Sequence, residues 1–288
     1  MSGFRYTRPE TAAEVLALLK EHGSDARLLS GGTDLIVGIR RGTARPRLVI
    51  DLKRVAELQS EISYSGAMLT IGASTVLTDI IDDERVRRHF PALVEAAGTV
   101  GSIQIRNRAT VAGNICNASP AADTVPALLV YRAKVNVMGL TAKRQVPLDG
   151  FFVGPGTTIL HPEEIVTSIE LPLPNRPVGA AFERMTRRRG VDLATISVCC
   201  LVDSAGPTLF AFGAAGPRPL LVADMSGRLA SGEAGEQERE EILSGLVSDT
   251  SPISDVRAGA EYRRAMLLVL SRRALQSAIG RAGEWDHP

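Results

Sequence analysis

Apolar residues first recur at helical spacing in Val15, Leu16, Leu18 and Leu19, and Gly23 ends the run. Thr11 and Glu14 stand three apart just ahead of it, the spacing of a capping box, so a helix is expected to begin there. A short strand follows at 26–29, then the turn Ser30-Gly31-Gly32-Thr33-Asp34, then Leu35-Ile36-Val37 as the opening of a possible helix. Residues 48–51 read as a strand, and 61–64 with 69–72 as a hairpin about Ser65-Gly66. Helices are expected at 77–81 and 92–97. The pattern then lapses: 104–108 leads into a loop at 110–123, rich in small and amide side chains. It resumes as a buried helix at 125–130 and an alternating strand at 134–138. A turn-rich break at 151–156 precedes a strand at 166–171.

Pro172, Pro174 and Pro177 crowd one short span and mark the main domain boundary, which divides the chain into 1–174 and 178–281. Beyond it, strands are expected at 180–185, 195–202 and 209–214. Helices follow at 237–247 and 258–279, the second with Leu267, Leu268, Leu270 and Leu275 on its apolar side. Strands followed by helices imply an α+β domain. The tail 281–288 is expected to fray.

Composition narrows the function more than the fold. The 288 residues are 44% hydrophobic and 23% charged with a net charge of +1, which suits a globular protein without the overall field of a nucleic-acid or membrane-surface binder. No apolar segment approaches the ~20 residues of a membrane span, and no signal-peptide core follows the first residues. Cys116, Cys199 and Cys200 form no disulfide framework; the last two, on one strand, would point to opposite faces. Four scattered histidines suggest no metal site. The expectation is a cytoplasmic protein without a metal of its own.

Two stretches can hold a polar ligand. The turn 30–34 follows a strand and leads into an apolar run, a geometry that aims backbone N–H groups at an anion. It is neither a GxGxxG fingerprint nor a Walker A loop, and a Gly-Gly pair between two elements also serves as a plain turn. In the second stretch, Thr110, Asn114, Asn117 and Ser119 offer neutral donors and acceptors, and Asp123 adds one carboxylate. Small residues there allow close backbone approach. Arg106 and Arg108 can neutralise a phosphate or lie on a solvated face. No Ser/His or paired-carboxylate constellation points to side-chain catalysis.

Three stretches in register carry a resemblance: Ser-Gly-Gly-Thr-Asp-Leu at 30–35, Gln-Ile-Arg-Asn-Arg-Ala-Thr-Val-Ala-Gly-Asn-Ile-Cys-Asn-Ala-Ser-Pro-Ala-Ala-Asp at 104–123, and Phe-Glu-Arg-Met-Thr-Arg-Arg-Arg-Gly-Val-Asp-Leu-Ala at 182–194. With Pro-Glu-Glu-Ile-Val-Thr-Ser-Ile-Glu-Leu-Pro at 162–172, the chain from Phe4 to about Ile279 resembles the FAD-binding medium subunit of the molybdenum hydroxylases, the xanthine dehydrogenase and carbon monoxide dehydrogenase flavoprotein family. The resemblance implies a two-part FAD-binding α+β domain of the vanillyl-alcohol-oxidase type, followed by a smaller α+β flavoprotein C-terminal domain. It implies FAD in this chain, and [2Fe–2S] and molybdopterin on small and large partner subunits. Electrons would pass from FAD to NAD or another acceptor.

By the same resemblance, Leu29, Ser30, Gly31, Gly32, Thr33, Asp34 and Leu35 would wrap the FAD pyrophosphate. Thr110, Ala112, Gly113, Asn114 and Asn117 would line the cofactor from the other side, and Asp123 would hydrogen-bond its sugar-alcohol region. Val100, Cys116 and Ile165 or Val166 would lie at the flavin, and Arg184 near its pyrimidine end. Some positions depart from the family. Ala112 replaces the first of two glycines, Val100 replaces an aromatic of animal enzymes, and Arg184 replaces their lysine. Cys116 reads as packing rather than as a redox centre. Without added cysteines, the extra iron–sulfur cluster of hydroxybenzoyl-CoA reductases is not expected. Two rival functions are a stand-alone FAD oxidase of small alcohols, for which no catalytic base stands out, and a scaffold subunit that has lost FAD. The intact glycine-rich turns and Asp123 argue against the scaffold.

Overall fold

The computed structural model describes residues 3–58, 60–231 and 234–284. Its first unit is a small parallel sheet of β1 (Arg5–Thr7), β2 (Ala26–Leu29) and β3 (Leu48–Asp51), ordered β1-β3-β2. The central β3 is buried along its whole length, as its unbroken Leu-Val-Ile run requires. Helix α1 (Ala12–His22) lays Val15, Leu16 and Leu19 into the core below. Thr11 caps it by accepting the Glu14 N–H at 3.3 Å, while the Glu14 carboxylate reaches back to the Glu10 N–H, one residue beyond the expected capping-box partner. Helix α2 (Leu35–Arg41) makes the crossover from β2 to β3, which parallel strands need, and Gly42 ends it at φ +75.

The chain continues through β4 (Ile62–Ser65) and β5 (Met68–Gly72) into six short helices. These are α3 (Leu77–Asp82), α4 (Glu84–His89), α5 (Pro91–Gly98), α6 (Ile103–Arg106), α7 (Val111–Cys116) and α8 (Thr124–Val130). It then returns as β6 (Lys134–Met138), β7 (Lys143–Pro147), the pair β8 (Phe152–Gly154) and β9 (Thr157–Thr158), and β10 (Ile165–Pro172). An antiparallel sheet in the order β4-β5-β10-β6-β7 results. Every residue of α8 is buried.

After the proline-rich connection, β11 (Val178–Met185), β12 (Ile196–Asp203), β13 (Thr208–Gly213) and β14 (Leu220–Asp224) form an antiparallel meander. Helices α9 (Arg228–Ser231), α10 (Glu236–Ser248) and α11 (Ala260–Gly283) complete the chain. Both faces of the meander are covered. Cys199, Leu201 and Ala211 belong to the core shared with α8, and Val198, Cys200 and Phe212 to a second core under α11. Cys199 and Cys200 thus face opposite ways, as adjacent strand residues must. Helix α11 comes so near β11 that a Cβ on Gly179 would stand 2.0 Å from the Ala278 carbonyl oxygen.

A seam joins the two halves. On α5, Glu95 accepts the Phe182 N–H of β11 at 3.0 Å and pairs with Arg281 of α11, whose guanidinium also donates to the Ala180 carbonyl. The expected frayed tail is therefore corrected at its start: residues 281–283 are the last turn of α11, held by this pairing, and 285–288 lie outside the described residues. The loop expected at 110–123 is likewise corrected: it contains α7, and the stretch leading into it contains α6, each capped by a side chain, Ser102 accepting the Ile105 N–H and Thr110 the Gly113 N–H. The break at 151–156 contains β8. Strands β1, β7, β9 and β14 and helices α4 and α9 were not expected from the apolar pattern; β1 and β9, of three and two residues, are too short for it to declare.

Candidate functional site

A cleft of about 790 Å³ opens at the carboxyl end of β2, where a parallel β-α-β unit offers its ligand crevice. One wall is the turn Ser30, Gly31, Gly32, Thr33, Asp34 and Leu35. The facing wall includes Thr110, Ala112, Gly113, Asn114, Cys116 and Asn117, and Val100, Ile165 and Val166 line it at apolar positions. The structure therefore gathers residues that lie more than a hundred positions apart in sequence.

Glycine is required twice in the first wall. Gly32 sits at φ +76, which side chains beyond glycine rarely adopt, and a Cβ on Gly31 would stand 2.0 Å from the Arg108 carbonyl oxygen. The two walls touch there through bare backbone. A second tie is the 3.1 Å hydrogen bond between the Ser30 and Thr110 hydroxyls. Thr110 also accepts the Gly113 N–H at 3.0 Å and so starts α7. Asn114 accepts the Thr124 hydroxyl at 2.7 Å, which fixes its side chain at the wall. Ala118, just past α7, holds φ +47 and accepts the Gly156 N–H at 2.9 Å. Strained backbone of this kind is kept where surrounding contacts over-determine it.

Among the described residues, none of the backbone N–H groups of 30–35 donates to a protein acceptor. Buried or partly buried N–H groups are nearly always paired, so a run of unpaired donors along a cleft wall is a demand for an external acceptor. Arg27 and Arg41 also line the cleft, and Asp34 is exposed at its edge. The arrangement can hold an extended ligand, its anionic part on neutral dipoles and an apolar part against Val100, Ile165 and Val166. Its volume falls in the range of ~300–1,000 Å³ usual for cofactor sites.

Leu29, Asp123 and Arg184 stand outside this lining. Arg184 donates to Asp123 Oδ2 at 3.0 Å, to the Thr99 carbonyl at 2.7 Å and to the Asp192 carbonyl. Thr99 and Asp192 each precede a lining residue, Val100 and Leu193. Arg184 thus braces two segments of wall from behind. Asp123 is buried with Oδ1 unpartnered; burial pushes its carboxyl up to about 6, against the opposing pull of Arg184. Cys116 is open to the cleft but surrounded by protein on its other sides, and that burial raises its thiol to about 12. It stays protonated near neutral pH. Arg106 is turned away, donating to the Val100 carbonyl at 3.2 Å, and the side chains of Arg187, Arg188 and Arg189 are exposed.

Sequence reasoning missed Arg27, Arg41, Ile105, Gly156 and Leu193 as lining residues. Leu193 and Ile105 lie inside the resembling stretches, and Gly156 inside the turn-rich break, so proximity to those motifs was the available signal. Arg41 is presented by the last turn of α2, which could be placed only once that helix was known to lean over the turn.

Residues 2–174 match the family model described as FAD binding domain in molybdopterin dehydrogenase, and residues 180–278 the CO dehydrogenase flavoprotein C-terminal domain. The chain is 32% identical to the xanthine dehydrogenase FAD-binding subunit of Escherichia coli O157:H7, over 96% of this chain and 97% of that one. It is also 32% identical to the carbon monoxide dehydrogenase medium chain of Hydrogenophaga pseudoflava, over 96% and 98%. Among solved structures, a carbon monoxide dehydrogenase from Hydrogenophaga pseudoflava lacking the Mo-pyranopterin moiety superimposes with a TM-score of 0.88 at 31% identity, covering 96% of this chain and 98% of that chain.

Proposed function

Because the chain belongs to the family of FAD-binding medium subunits of the molybdenum hydroxylases, we propose that it is the electron-transfer flavoprotein of a heteromeric molybdopterin-dependent dehydrogenase and holds FAD in the cleft at the end of β2. In this reading a small partner carries [2Fe–2S] clusters, a large partner carries molybdopterin, and NAD or another acceptor takes the electrons. The observation that carries the proposal is the run of unpaired N–H groups at 30–35 facing the Thr110 wall. A diphosphate satisfies such donors without a buried cation.

FAD supplies the redox chemistry, and the protein supplies binding, orientation and electrostatics. Residues 30–35, with Leu29 beneath them, hold the diphosphate; Thr110, Ala112, Gly113, Asn114 and Asn117 border it from the opposite wall. Val100, Cys116, Ile165 and Val166 exclude water from the ring. Cys116, with its thiol held protonated, contributes packing. Asp123 and Arg184 fix the ring end of the cleft through Thr99 and Asp192.

The test is the absorbance spectrum of natively purified protein with its co-purifying chains identified by mass. Flavin bands with an iron–sulfur chain and a molybdopterin chain are expected. A colourless chain that takes up no added FAD would contradict the proposal. Bleaching of the flavin by anaerobic NADH would support NAD as the acceptor, and no bleaching would point to another.

A further inference from the structure

We propose that Asp51 and Lys53 form a clamp behind the glycine turn, which sets the orientation of the Ser30–Gly31 peptide and so strengthens the grip on the FAD diphosphate. The proposal rests on FAD being the ligand of the cleft. Asp51 is the last residue of the central strand β3 and is only 1% exposed, an unusual place for a carboxylate. Its oxygens are fully engaged. Oδ1 accepts the Lys53 backbone N–H at 3.0 Å and pairs with Lys53 Nζ at 2.6 Å. Oδ2 accepts the Tyr6 hydroxyl and lies 3.7 Å from Arg8 Nε. Burial opposes the charge, but the hydrogen bonds from Lys53 and Tyr6 outweigh it and hold the carboxyl below its ordinary range. Asp51 is therefore a fixed anion that anchors the Lys53 ammonium.

The same ammonium donates to the Ser30 carbonyl oxygen at 3.4 Å. That contact is weaker than the one to Asp51, so Asp51 fixes the ammonium and the ammonium biases the peptide. Its consequence is geometric. No peptide bond in the described residues is cis, and a planar trans peptide sends its C=O and N–H to opposite sides. Drawing the Ser30 carbonyl toward Lys53 turns the Gly31 N–H away from Lys53. Lys53 is not part of the cleft lining, so it acts from behind the turn and not on the ligand. A clamp is useful at this point because Gly31 and Gly32 leave the backbone free to rotate. Fixing a donor before the ligand arrives removes an ordering cost from binding.

The test compares apoprotein of the full chain, stripped of FAD, as wild type, Lys53→Met, Asp51→Asn/Lys53→Met and Lys53→Arg. FAD dissociation constants are read by fluorescence quenching and apoprotein melting temperatures serve as the control for folding. Lys53→Met is expected to weaken FAD by about tenfold and, by stripping buried Asp51 of its ammonium, to lower the melting temperature by a few degrees. The double variant Asp51→Asn/Lys53→Met, which removes the unpaired charge, should regain stability but not affinity, and Lys53→Arg should stay within about threefold of wild type. Affinity unchanged in Lys53→Met, affinity regained together with stability in the double variant, or no restoration by arginine would overturn the clamp while leaving FAD in the cleft. A wild-type chain that binds no FAD would overturn the reading on which the clamp rests.

Discussion

The cleft wall at 30–35 and the seam between α5 and β11 are both places where two distant parts of the chain meet, yet they treat their polar groups in opposite ways. At the seam, Glu95 spends one oxygen on the Phe182 N–H and the other on Arg281, and Arg281 also closes on Ala180. At the cleft, the backbone touches through Gly31 and Arg108, but the N–H groups of the turn stay unpaired. A run of unpaired backbone donors along a cleft is open to acceptors that a ligand supplies. The seam is a joint and the cleft is a site. Substitutions should separate them.

Gly31→Ala attacks the cleft. Its Cβ would overlap the Arg108 carbonyl, and the walls must part by a shift costing about 3 kcal/mol. FAD affinity is expected to fall by about 100-fold, measured by titration of the apoprotein. Gly179→Ala places an equal overlap on the Ala278 carbonyl at the packing of β11 on α11. There the same ~3 kcal/mol should appear as lost stability in denaturant unfolding. FAD affinity in chains that remain folded should stay within about twofold. If both variants lose FAD alike, the distinction between joint and site fails.

Asp123 and Arg184 stand between the two regions, and pH sharpens the comparison. The folded carboxyl, at about 6, lies above its ordinary 3.8, so the folded chain keeps this proton after the unfolded chain has lost it. Its stabilising contribution is full below the unfolded value and is lost as pH rises through about 6, by up to roughly 3 kcal/mol. Asp123→Asn removes that slope. The stability of wild type relative to this variant, measured by apoprotein denaturation, should therefore fall between pH 4 and 7, whereas a constant difference would mean that Asp123 titrates normally.

The smallest effect belongs to the seam charge. Glu95→Gln keeps an acceptor for the Phe182 N–H and loses only the ionic part of the pairing with Arg281. Both side chains are about one-third exposed (35% each), so solvent screens the pair. A loss of ~1 kcal/mol or less is expected in a double-mutant cycle with Arg281→Met, with FAD affinity unmoved.

The sequence made the glycine turn legible because strand, Gly-Gly and the start of a helix follow one another within a dozen residues. Strands β11, β12 and β13 of the meander were legible as long apolar runs, β12 and β13 buried on both faces, whereas β14 was not. Helix α6 was not legible, since four residues cannot establish a helical period, and the small and amide side chains of α7 mimic a loop. Nor was the place of Arg184, which residue type alone assigns to a ligand as readily as to the carbonyls it holds. The Asp51–Lys53–Ser30 arrangement and the Glu95–Arg281 pair join residues far apart in the chain, and no local pattern announces such meetings.

Whether the turn donors hold FAD is decided by amide hydrogen exchange of the apoprotein with and without FAD. The amides of residues 30–35, unpaired in the protein alone, are expected to become strongly protected when FAD is added, together with the facing wall at 110–117, while the seam at 180–182 changes little. FAD binding that leaves 30–35 exchanging as fast as before would contradict that role of the turn.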